Sequence, residues 1–292
     1  MLHENKDDFL EVLNRAAMRN DFYLPHIEKD YYLTLILSRI HELSEKLIFK
    51  GGTCLNKIYF SYYRLSEDLD FSMQLPASTL TRGVRRKAIQ PVKDKIKKFV
   101  EQFGIKLDET EEPGRNESKQ YLYYFVYQSA LRPVEEKVKF EIGLRYNPIC
   151  KPEKRKVRHH FLHPFTEAAL FDGGEVYCLA LKEVVAEKLR AAATRKIIAP
   201  RDFYDLDFIL RNGFNLGGKE VMELFKKKIE EDEGDPVLKK YRINMGRTEA
   251  EIKDMRSRIK EELFEVLTPE ERKNFDLEVA LERINKVMKE AA

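Results

Sequence analysis

The most constraining feature of the sequence is the segment FKGGTCLNKIYFSYYRLSEDLDFSM, residues 49 to 73. A short strand leads into Gly51-Gly52-Thr53, a helix follows, and the segment ends in the strand DLDFSM. Because successive side chains of a strand point to opposite faces, the polar residues of DLDFSM share one face and the apolar residues share the other. Asp68 and Asp70 are therefore predicted to lie side by side just beyond a glycine turn.

The two aspartates predict a cation site. Two carboxylates on a regular strand repel each other unless a cation lies between them, and proteins usually hold Mg²⁺ through one or two carboxylates plus substrate phosphates. In the later strand candidate VKFEIGL, Glu141 is predicted on the polar face, where it would complete a site for two ions about 3.5–4 Å apart. The alternative is that Asp68 and Asp70 are solvated charges at a strand edge and that Glu141 is an ordinary outward side chain.

The glycine turn is a candidate phosphate site. Gly51-Gly52-Thr53 stands between a strand and a helix, where missing side chains let backbone N–H groups approach a phosphate. The Thr53 hydroxyl can add a hydrogen bond. The P-loop pattern G-x-x-x-x-G-K-[ST] is absent. A tight turn without a ligand is the alternative, since a Gly-Gly pair alone is common in turns.

Composition excludes several classes of protein. The 292 residues contain 53 Lys and Arg against 50 Asp and Glu, a net charge of +3, which excludes a very basic DNA-coating protein but not a local basic face. No run of 18 apolar residues exists and the first residues are acidic and amphipathic, so neither a membrane span nor a signal peptide is predicted. Cys54, Cys150 and Cys178 are far apart, which fits a reducing cytoplasm better than disulfides or zinc. We expect a cytoplasmic protein with no membrane partner.

The rest of the chain divides into two halves. Apolar spacing predicts helices, then three strand candidates, and then nearly continuous helix after the glycines at 173 and 174. We predict an α/β (α+β) fold with a mixed sheet and flanking helices over residues 1–174, followed by an all-helical domain over 175–292. The predicted helices are 7–18, 25–47, 80–103, 180–195, 201–212, 218–232, 248–266 and 269–290, and the strand candidates are 105–109, 121–130 and 137–145.

Two features of the helical half could carry chemistry. In LKEVVAEKLRAAATR, Lys188 interrupts an apolar stripe, so its ammonium either reaches out to water or points into a cleft that binds anions. Further on, PRDFYDLDFIL places Asp202 in a first helical turn, where the helix dipole favours an acid in any case. Arg201 and Asp205 are four residues apart and could simply pair.

Other patterns are less specific. His159, His160 and His163 lack a cysteine or acid at metal-binding spacing, so a loop or nucleic-acid contact is favoured. Basic clusters at 82–87 and 93–98 are interpreted as solvated helix faces, whereas the cluster at 151–158 lies in a predicted loop and is favoured as an RNA-backbone contact. The tyrosines of the strand at 121–130, which are Tyr121, Tyr123, Tyr124 and Tyr127, are interpreted as sheet packing rather than as a base-stacking platform.

The order of these motifs resembles a known superfamily. A strand, Gly-Gly-Thr, a helix, a strand with D-x-D and a later strand with an acid is the layout of the DNA polymerase β-like nucleotidyltransferases. The string GGTxL…RLSEDLDF resembles the AbiEii/AbiGii toxin-type nucleotidyltransferases of abortive-infection and toxin–antitoxin systems, and its interval from Thr53 to Asp68 is slightly long for the superfamily at large. The later pattern AEKLRA…RDFYDL agrees with the same family. The resemblance covers about residues 45–210.

The resemblance implies roles for individual residues. It implies that two Mg²⁺ ions are bound, with Mn²⁺ as an alternative, that Lys188 contacts the triphosphate, and that Asp202 or Asp205 orients this lysine or the accepting hydroxyl. The implied catalytic residues are Asp68, Asp70, Glu141, Lys188 and Asp202; the implied metal ligands are Asp68, Asp70 and Glu141; and the implied nucleotide-binding residues are Gly52, Thr53, Lys188 and Asp205.

The predicted reaction moves a nucleoside monophosphate from a nucleoside triphosphate to an acceptor hydroxyl and releases pyrophosphate. The resemblance implies RNA as the acceptor, in particular the 3′ end of tRNA, with toxicity through blocked translation and a cognate antitoxin protein as partner. Two alternatives stay open. One is an enzyme that nucleotidylates protein, and the other is a catalytically idle module that binds nucleotide or RNA, against which the intact aspartate pair argues.

Overall fold

A computed structural model of the chain describes residues 1–76, 81–231 and 245–291. The chain folds into two units, Met1–Leu179 and Ala180–Ala292. The first unit contains a mixed β-sheet with flanking helices, and every described element of the second unit is helical, so the predicted fold class is confirmed. The domain boundary at 174 and 175 stays a prediction.

Three helices precede the sheet: α1, Lys6–Asn20; α2, Leu24–Ser38; and the short α3, Ile40–Leu43. The side chain of Asn5 caps α1 by accepting hydrogen bonds from the backbone N–H groups of Asp7 and Asp8. Pro25 lies in the first turn of α2, where its missing N–H costs nothing. The helix predicted at 25–47 is interrupted at Arg39, where the chain leaves helical geometry, and it ends with α3 at Leu43, before the strand that begins at Leu47.

The described strands form one sheet in the order β3-β5-β6-β2-β1-β8-β7, with β4 paired to the edge of β5. Strands β2 and β6 run parallel, as do β1 and β8, and the remaining pairs are antiparallel. The strands are β1, Leu47–Lys50; β2, Asp68–Met73; β3, Lys106–Leu107; β4, Gly114–Arg115; β5, Gln120–Gln128; β6, Glu135–Gly143; β7, Glu153–Lys156; and β8, Glu175–Cys178.

Strand β8 was placed by prediction in the helical domain, and β7 was predicted as a loop. Both are short: β8 buries Val176 and Cys178 in alternation with two exposed residues, and β7 is a polar edge strand with no buried side chain. A four-residue alternation and a fully polar strand give too little periodic signal to be recognised.

One face of the sheet forms the apolar core of the first unit. The rings of Phe49, Phe71, Phe140 and Phe125 lie in a row across four strands, with neighbouring centroids 5.3, 5.2 and 4.9 Å apart. All four side chains are fully buried. Helix α5, Arg82–Glu101, follows β2 and contains Pro91. The helix predicted at 80–103 begins at Leu80, which lies outside the described residues.

The glycine turn lies at the start of a helix. Helix α4, Gly51–Cys54, continues directly into a π-helical segment, Leu55–Phe60. The helix ends at Ser61 and Tyr62, which both adopt left-handed backbone angles with φ of 44° and 63°. The chain thereby turns back towards the glycine turn before it enters β2.

The second unit is helical over its described residues. Thr248 and Asp276 cap two of its helices with side-chain oxygens, and the helix predicted at 269–290 is interrupted at Phe275. Position 232, the predicted end of another helix, lies outside the described residues. The helices are α6, Leu181–Thr194; α7, Pro200–Arg211; α8, Lys219–Glu231; α9, Glu249–Glu262; α10, Pro269–Asn274; and α11, Leu277–Glu290.

None of the helices in the described ranges is both long and apolar enough to span a membrane.

Candidate active site

The two aspartates of β2 and the glutamate of β6 lie on one face of the sheet. Strands β2 and β6 are parallel, with Asp70 in register with Glu141 and Asp68 in register with Lys139. Register partners of neighbouring strands point to the same face. The opposite faces of both strands are apolar and buried, and this fixes the register. The structure thus brings together the three carboxylates that the sequence grouped as a candidate metal site.

The carboxylate face is electrostatically unbalanced. Burial, together with the negative charge of Glu141, raises the pKa of Asp70 to about 6. Two lysines offset this in part: Lys50 is in register with Asp70 across β1 and β2, and the Nζ atom of Lys139 lies 3.1 Å from Oε2 of Glu141. The ionised form of Asp70 would therefore be stabilised by a further positive charge, such as a metal ion.

The donor set fits a divalent cation. Asp68 and Asp70 match the one or two carboxylates by which proteins hold Mg²⁺ alongside substrate phosphates. Within the described residues, no group of three His, Cys, Asp or Glu side chains is arranged to hold a metal ion. The carboxylate of Glu141 forms an ion pair with Lys139 instead. Ligation by Glu141 therefore requires its side chain to leave Lys139, and its assignment as a metal ligand stays a prediction.

The glycine turn lies directly against the aspartates. Gly51 has a φ of +78°, and a Cβ atom there would stand 2.5 Å from Oδ2 of Asp70. A Cβ atom on Gly52 would stand 2.6 Å from Nη2 of Arg64. Gly51 thus requires glycine for its backbone conformation and for its close approach to Asp70, whereas a side chain at position 52 would displace the guanidinium of Arg64. The turn places the N-terminal backbone N–H groups of α4 beside the carboxylate face.

Thr53 holds the turn and β2 together. Its side chain is 1 % exposed, its hydroxyl donates to the main-chain oxygen of Asp68, and it lies 2.8 Å from the hydroxyl of Ser66. These bonds tie Thr53 to the protein itself. The role of Thr53 in binding a nucleotide stays a prediction.

Arg64 and Ser66 were not singled out by sequence, although both lie in the string RLSEDLDF. Arg64 is 2 % exposed, and its Nη1 atom donates to the main-chain oxygen of Leu65 at 2.7 Å. Both side chains reach the glycine turn because the chain reverses at Ser61 and Tyr62. Two consecutive left-handed residues that are not glycine leave no signal in the sequence.

A buried lysine was also missed. Lys57 is fully buried on the segment that follows α4, and its Nζ atom lies 2.7 Å from Oδ1 of Asp30. The ammonium also donates to Thr34 at 2.8 Å and to Tyr62 at 2.9 Å, while the Tyr62 hydroxyl donates to Asp30 at 2.5 Å. A buried charge is tolerated when it is paired and hydrogen-bonded in this way. The cluster stabilises the return of the chain towards the glycine turn.

The second unit contains the predicted lysine together with both predicted aspartates. The Nζ atom of Lys188 lies 2.9 Å from Oδ1 of Asp202 and 2.8 Å from Oδ2 of Asp205. The two aspartate side chains are 3 % and 0 % exposed, and that of Lys188 is 13 % exposed. Arg195 adds a second cation at 2.9 Å from Oδ2 of Asp202. The ammonium of Lys188 therefore lies in an ion-paired cluster with two buried acids rather than reaching out to water, and its role in binding a triphosphate stays a prediction.

The histidines and the basic clusters have mostly structural surroundings. His160 stacks on Tyr62 with ring centroids 4.0 Å apart, and His159 stacks on Phe171 at 4.4 Å. In the basic edge strand β7, Lys154 pairs with Glu175 at 3.1 Å and Arg155 with Glu153 at 2.5 Å. These contacts pack His159 and His160, both partly exposed, against neighbouring rings. RNA binding by residues 151–158 stays a prediction.

Comparisons with known proteins agree with this arrangement. A model of the family described as nucleotidyl transferase AbiEii toxin, type IV toxin–antitoxin system, matches residues 35–288. The fold is similar to that of MenT4, a nucleotidyltransferase toxin of Mycobacterium tuberculosis, with a TM-score of 0.55, 18 % identity and coverage of 94 % of this chain and 98 % of that one. It is also similar to a candidate nucleotidyltransferase of H. pylori, with a TM-score of 0.52, 17 % identity and coverage of 91 % and 93 %.

No curated protein matches the chain significantly. The two structural likenesses concern the fold, whereas the family model spans most of the sequence, including both carboxylate-bearing strands and the Lys188 cluster. The chain belongs to the AbiEii family of nucleotidyltransferase toxins of type IV toxin–antitoxin systems.

Proposed function

We propose that this nucleotidyltransferase depends on a divalent metal and transfers a nucleoside monophosphate to the hydroxyl of an RNA acceptor, in particular the 3′ end of tRNA. The observation that carries the proposal is the register of β2 against β6, which sets Asp68, Asp70 and Glu141 on one face. That face adjoins a turn whose backbone suits a phosphate. Carboxylates beside a phosphate-binding turn are the arrangement that metal-dependent phosphoryl chemistry needs.

In the first unit, we assign one set of residues to the metal and another to the nucleotide. Asp68, Asp70 and Glu141 hold the metal, which when bound neutralises phosphate charge and lowers the pKa of the accepting hydroxyl. The N-terminal N–H groups of α4, at Gly51 and Gly52, donate to the triphosphate. Catalysis of this kind rests on positioning and charge stabilisation rather than on covalent chemistry by the protein.

In the second unit, we assign Lys188 to the triphosphate as a point charge. Asp202 and Asp205 orient its ammonium, which both acids contact. The proposed setting is the cytoplasm, where transfer to the tRNA end would block translation. The antitoxin implied by the family would counter this toxicity.

The decisive experiment compares wild type with Asp70→Asn. Purified protein is incubated with each labelled nucleoside triphosphate, Mg²⁺ or EDTA, and a mixture of total RNA and protein. We expect Mg²⁺-dependent labelling of tRNA by wild type, and a loss of at least about 100-fold in Asp70→Asn. Asp94→Asn, an exposed aspartate on α5, is the matched control and should label tRNA as wild type does.

The other candidate functions predict different results in the same experiment. Label in protein rather than RNA would identify a protein-nucleotidylating enzyme. Nucleotide binding that is indifferent to Mg²⁺, without transfer to any acceptor, would identify an idle binding module. Unchanged labelling by a folded Asp70→Asn protein would refute the assignment of the carboxylate face.

A further inference from the structure

The four tyrosines of β5 do not share one environment. Tyr121, Tyr123 and Tyr127 face the apolar core and are 2–5 % exposed. Tyr127, for example, stacks on Tyr32 with ring centroids 3.9 Å apart. Tyr124 points to the opposite face and is partly exposed. The sequence-based interpretation as sheet packing therefore holds for three of the four, and Tyr124 needs a different explanation.

Tyr124 lies on the same face of the sheet as the catalytic carboxylates. It is in register with Lys139 of β6, which is in register with Asp68 of β2. Asp68, Lys139 and Tyr124 therefore form a row across three neighbouring strands. At the usual strand spacing, the backbone of Tyr124 is about 10 Å from that of Asp68, which is within the reach of one nucleotide.

The ring of Tyr124 borders an open space. A cavity of about 610 Å³ is lined by Leu122, Tyr124 and Lys137, among others. Within the described residues, the one ring contact of Tyr124 is with the ammonium of Lys137, 5.9 Å from the ring centroid. Four acids also line the cavity: Asp108, Glu109 and Glu111 are each in an ion pair of 2.6 Å, and Glu112 is the fourth. The cavity thus offers an aromatic surface among charges of which most are paired.

The strand order shows from which side a ligand would reach this ring. The order β5-β6-β2-β1 puts Tyr124 on one side of the carboxylates and the glycine turn, which follows β1, on the other. In phosphoryl transfer the attacking and leaving oxygens are in line on opposite sides of the phosphorus. If the triphosphate lies at the glycine turn, the acceptor approaches from the side of β5.

We infer that Tyr124 stacks on the terminal base of the RNA acceptor and that Lys139 contacts the adjoining phosphate. The inference rests on the proposed function, because it takes the metal site and the glycine turn as its reference points. Aromatic stacking tolerates any base, since every base has a π-face. The ammonium of Lys139, on the strand position next to Tyr124 and now paired with Glu141, would neutralise the backbone phosphate next to the stacked base once a metal holds Glu141. Tyr124 is thereby an acceptor-positioning residue.

The test uses the lack of tryptophan in this chain. Tyr124→Trp introduces a single indole at the proposed stacking position, and Tyr23→Trp, at a side chain 56 % exposed just before α2, is the matched control. Each variant is titrated in EDTA with a short single-stranded RNA that has a free 3′ hydroxyl, and separately with a non-hydrolysable nucleoside triphosphate. We expect RNA to quench the fluorescence of Trp in Tyr124→Trp and to leave the fluorescence of Tyr23→Trp unchanged.

A kinetic comparison adds a readout that a purely structural role would not change. Tyr124→Ala should raise the KM for RNA about 10-fold, the loss expected of one stacked base, while the KM for nucleoside triphosphate stays within about 2-fold. Tyr124→Phe, which keeps the ring, should restore the wild-type KM for RNA. A rise in KM for the triphosphate instead would place its own base on Tyr124 and overturn the assignment to the acceptor.

The outcomes separate this inference from the proposed function. If wild type transfers nucleotide to RNA but RNA binding leaves the fluorescence of Tyr124→Trp unchanged, the stacking inference is wrong and the function stands. If RNA quenches the fluorescence of Tyr124→Trp but wild type transfers no nucleotide, the stacking inference stands and the proposed function is wrong. Transfer to protein, with no quenching by RNA, would refute the RNA acceptor and the stacking role together.

Discussion

Asp70 and Glu141 stand opposite each other on the parallel strands β2 and β6, with their Cα atoms in register and both side chains on one face of the sheet. The two residues are 71 positions apart in the chain. The ionisation of Asp70 is opposed by its burial and by the charge of Glu141.

Removing the charge of Glu141 should weaken metal binding. Glu141→Gln keeps the size of the side chain but offers a divalent ion a neutral ligand, so we expect turnover at limiting Mg²⁺ to fall by about 10-fold to 100-fold. The measurement is the Mg²⁺ dependence of nucleotide transfer. Glu135→Gln, at the start of the same strand and on the same face, should leave that dependence unchanged. Equal behaviour of the two variants would contradict a metal role for Glu141.

Gly51→Ala should abolish activity for two separable reasons. The substitution strains a backbone with φ of +78° and forces a methyl group to within 2.5 Å of Oδ2 of Asp70. Gly213→Ala is the matched control, because Gly213 has a similar φ of +82° and open space around it. Gly213→Ala should lose about 1 kcal/mol of unfolding free energy, measured by denaturant titration, and Gly51→Ala should lose more because of its added clash. Only Gly51→Ala should lose transfer, by about 100-fold or more. Full activity in Gly51→Ala would show that the approach of Gly51 to Asp70 is not needed.

Replacing Lys188 should affect both nucleotide binding and the fold, because the buried carboxylates of Asp202 and Asp205 lose their shared ammonium. Lys188→Gln removes the ammonium that Asp202 and Asp205 orient, so the KM for nucleoside triphosphate should rise and kcat should fall, together by about 100-fold in kcat/KM. Lys182→Gln, on the same helix, changes an exposed lysine that pairs with Glu220 at 2.8 Å and should be silent. Steady-state kinetics with varied triphosphate distinguishes the two. Wild-type kinetics in a folded Lys188→Gln protein would exclude a role in triphosphate binding.

The protein should lose stability as the solution is acidified, in part through His160. Burial lowers the pKa of His160 from 6.5 to about 4, against the attraction of Asp30 and with repulsion from Lys57, Arg19 and His159. Between pH 6.5 and about 4, His160 is protonated in the unfolded chain but stays neutral in the folded protein. The contribution of His160 is therefore intact above pH 6.5 and is lost as the pH falls towards 4.

His160→Phe keeps a ring on Tyr62 but cannot be protonated. Its melting temperature should fall less than that of wild type between pH 7 and pH 4.5. The exposed His41, changed to Asn, should follow wild type at both pH values. A variant that is as acid-sensitive as wild type would show that His160 is not responsible.

The carboxylate face was predictable because it depends on a local rule. Alternation along DLDFSM and VKFEIGL separates acids from apolar side chains whatever the neighbouring strands are. The same rule, applied to QYLYYFVYQ, would have separated Tyr124 from the other three tyrosines, but all four were treated together. That β2 and β6 are neighbours was not given by alternation, since it depends on the pairing of distant segments.

The rest of the candidate site could not be predicted because it depends on packing between distant residues. Arg64 reaches Gly52 only after the chain reverses at Ser61. Lys57 looks like an ordinary helix-surface lysine in sequence, yet it is fully buried, since Asp30 of a preceding helix supplies its partner. A local pattern carries no information about which distant acid will meet a given lysine.

The hydroxyl of Thr53 contacts the hydroxyl of Ser66 and the main-chain oxygen of Asp68. The residues between Thr53 and Ser66 therefore form a segment whose two ends are joined by hydrogen bonds. A change in the length of this segment that keeps these hydrogen bonds and the buried Lys57–Asp30 pair would keep the geometry of the turn and the acids. A sequence search that requires a fixed interval between the glycine turn and the aspartates would miss proteins with the same chemistry. A search that requires a Ser or Thr able to make these hydrogen bonds would find them.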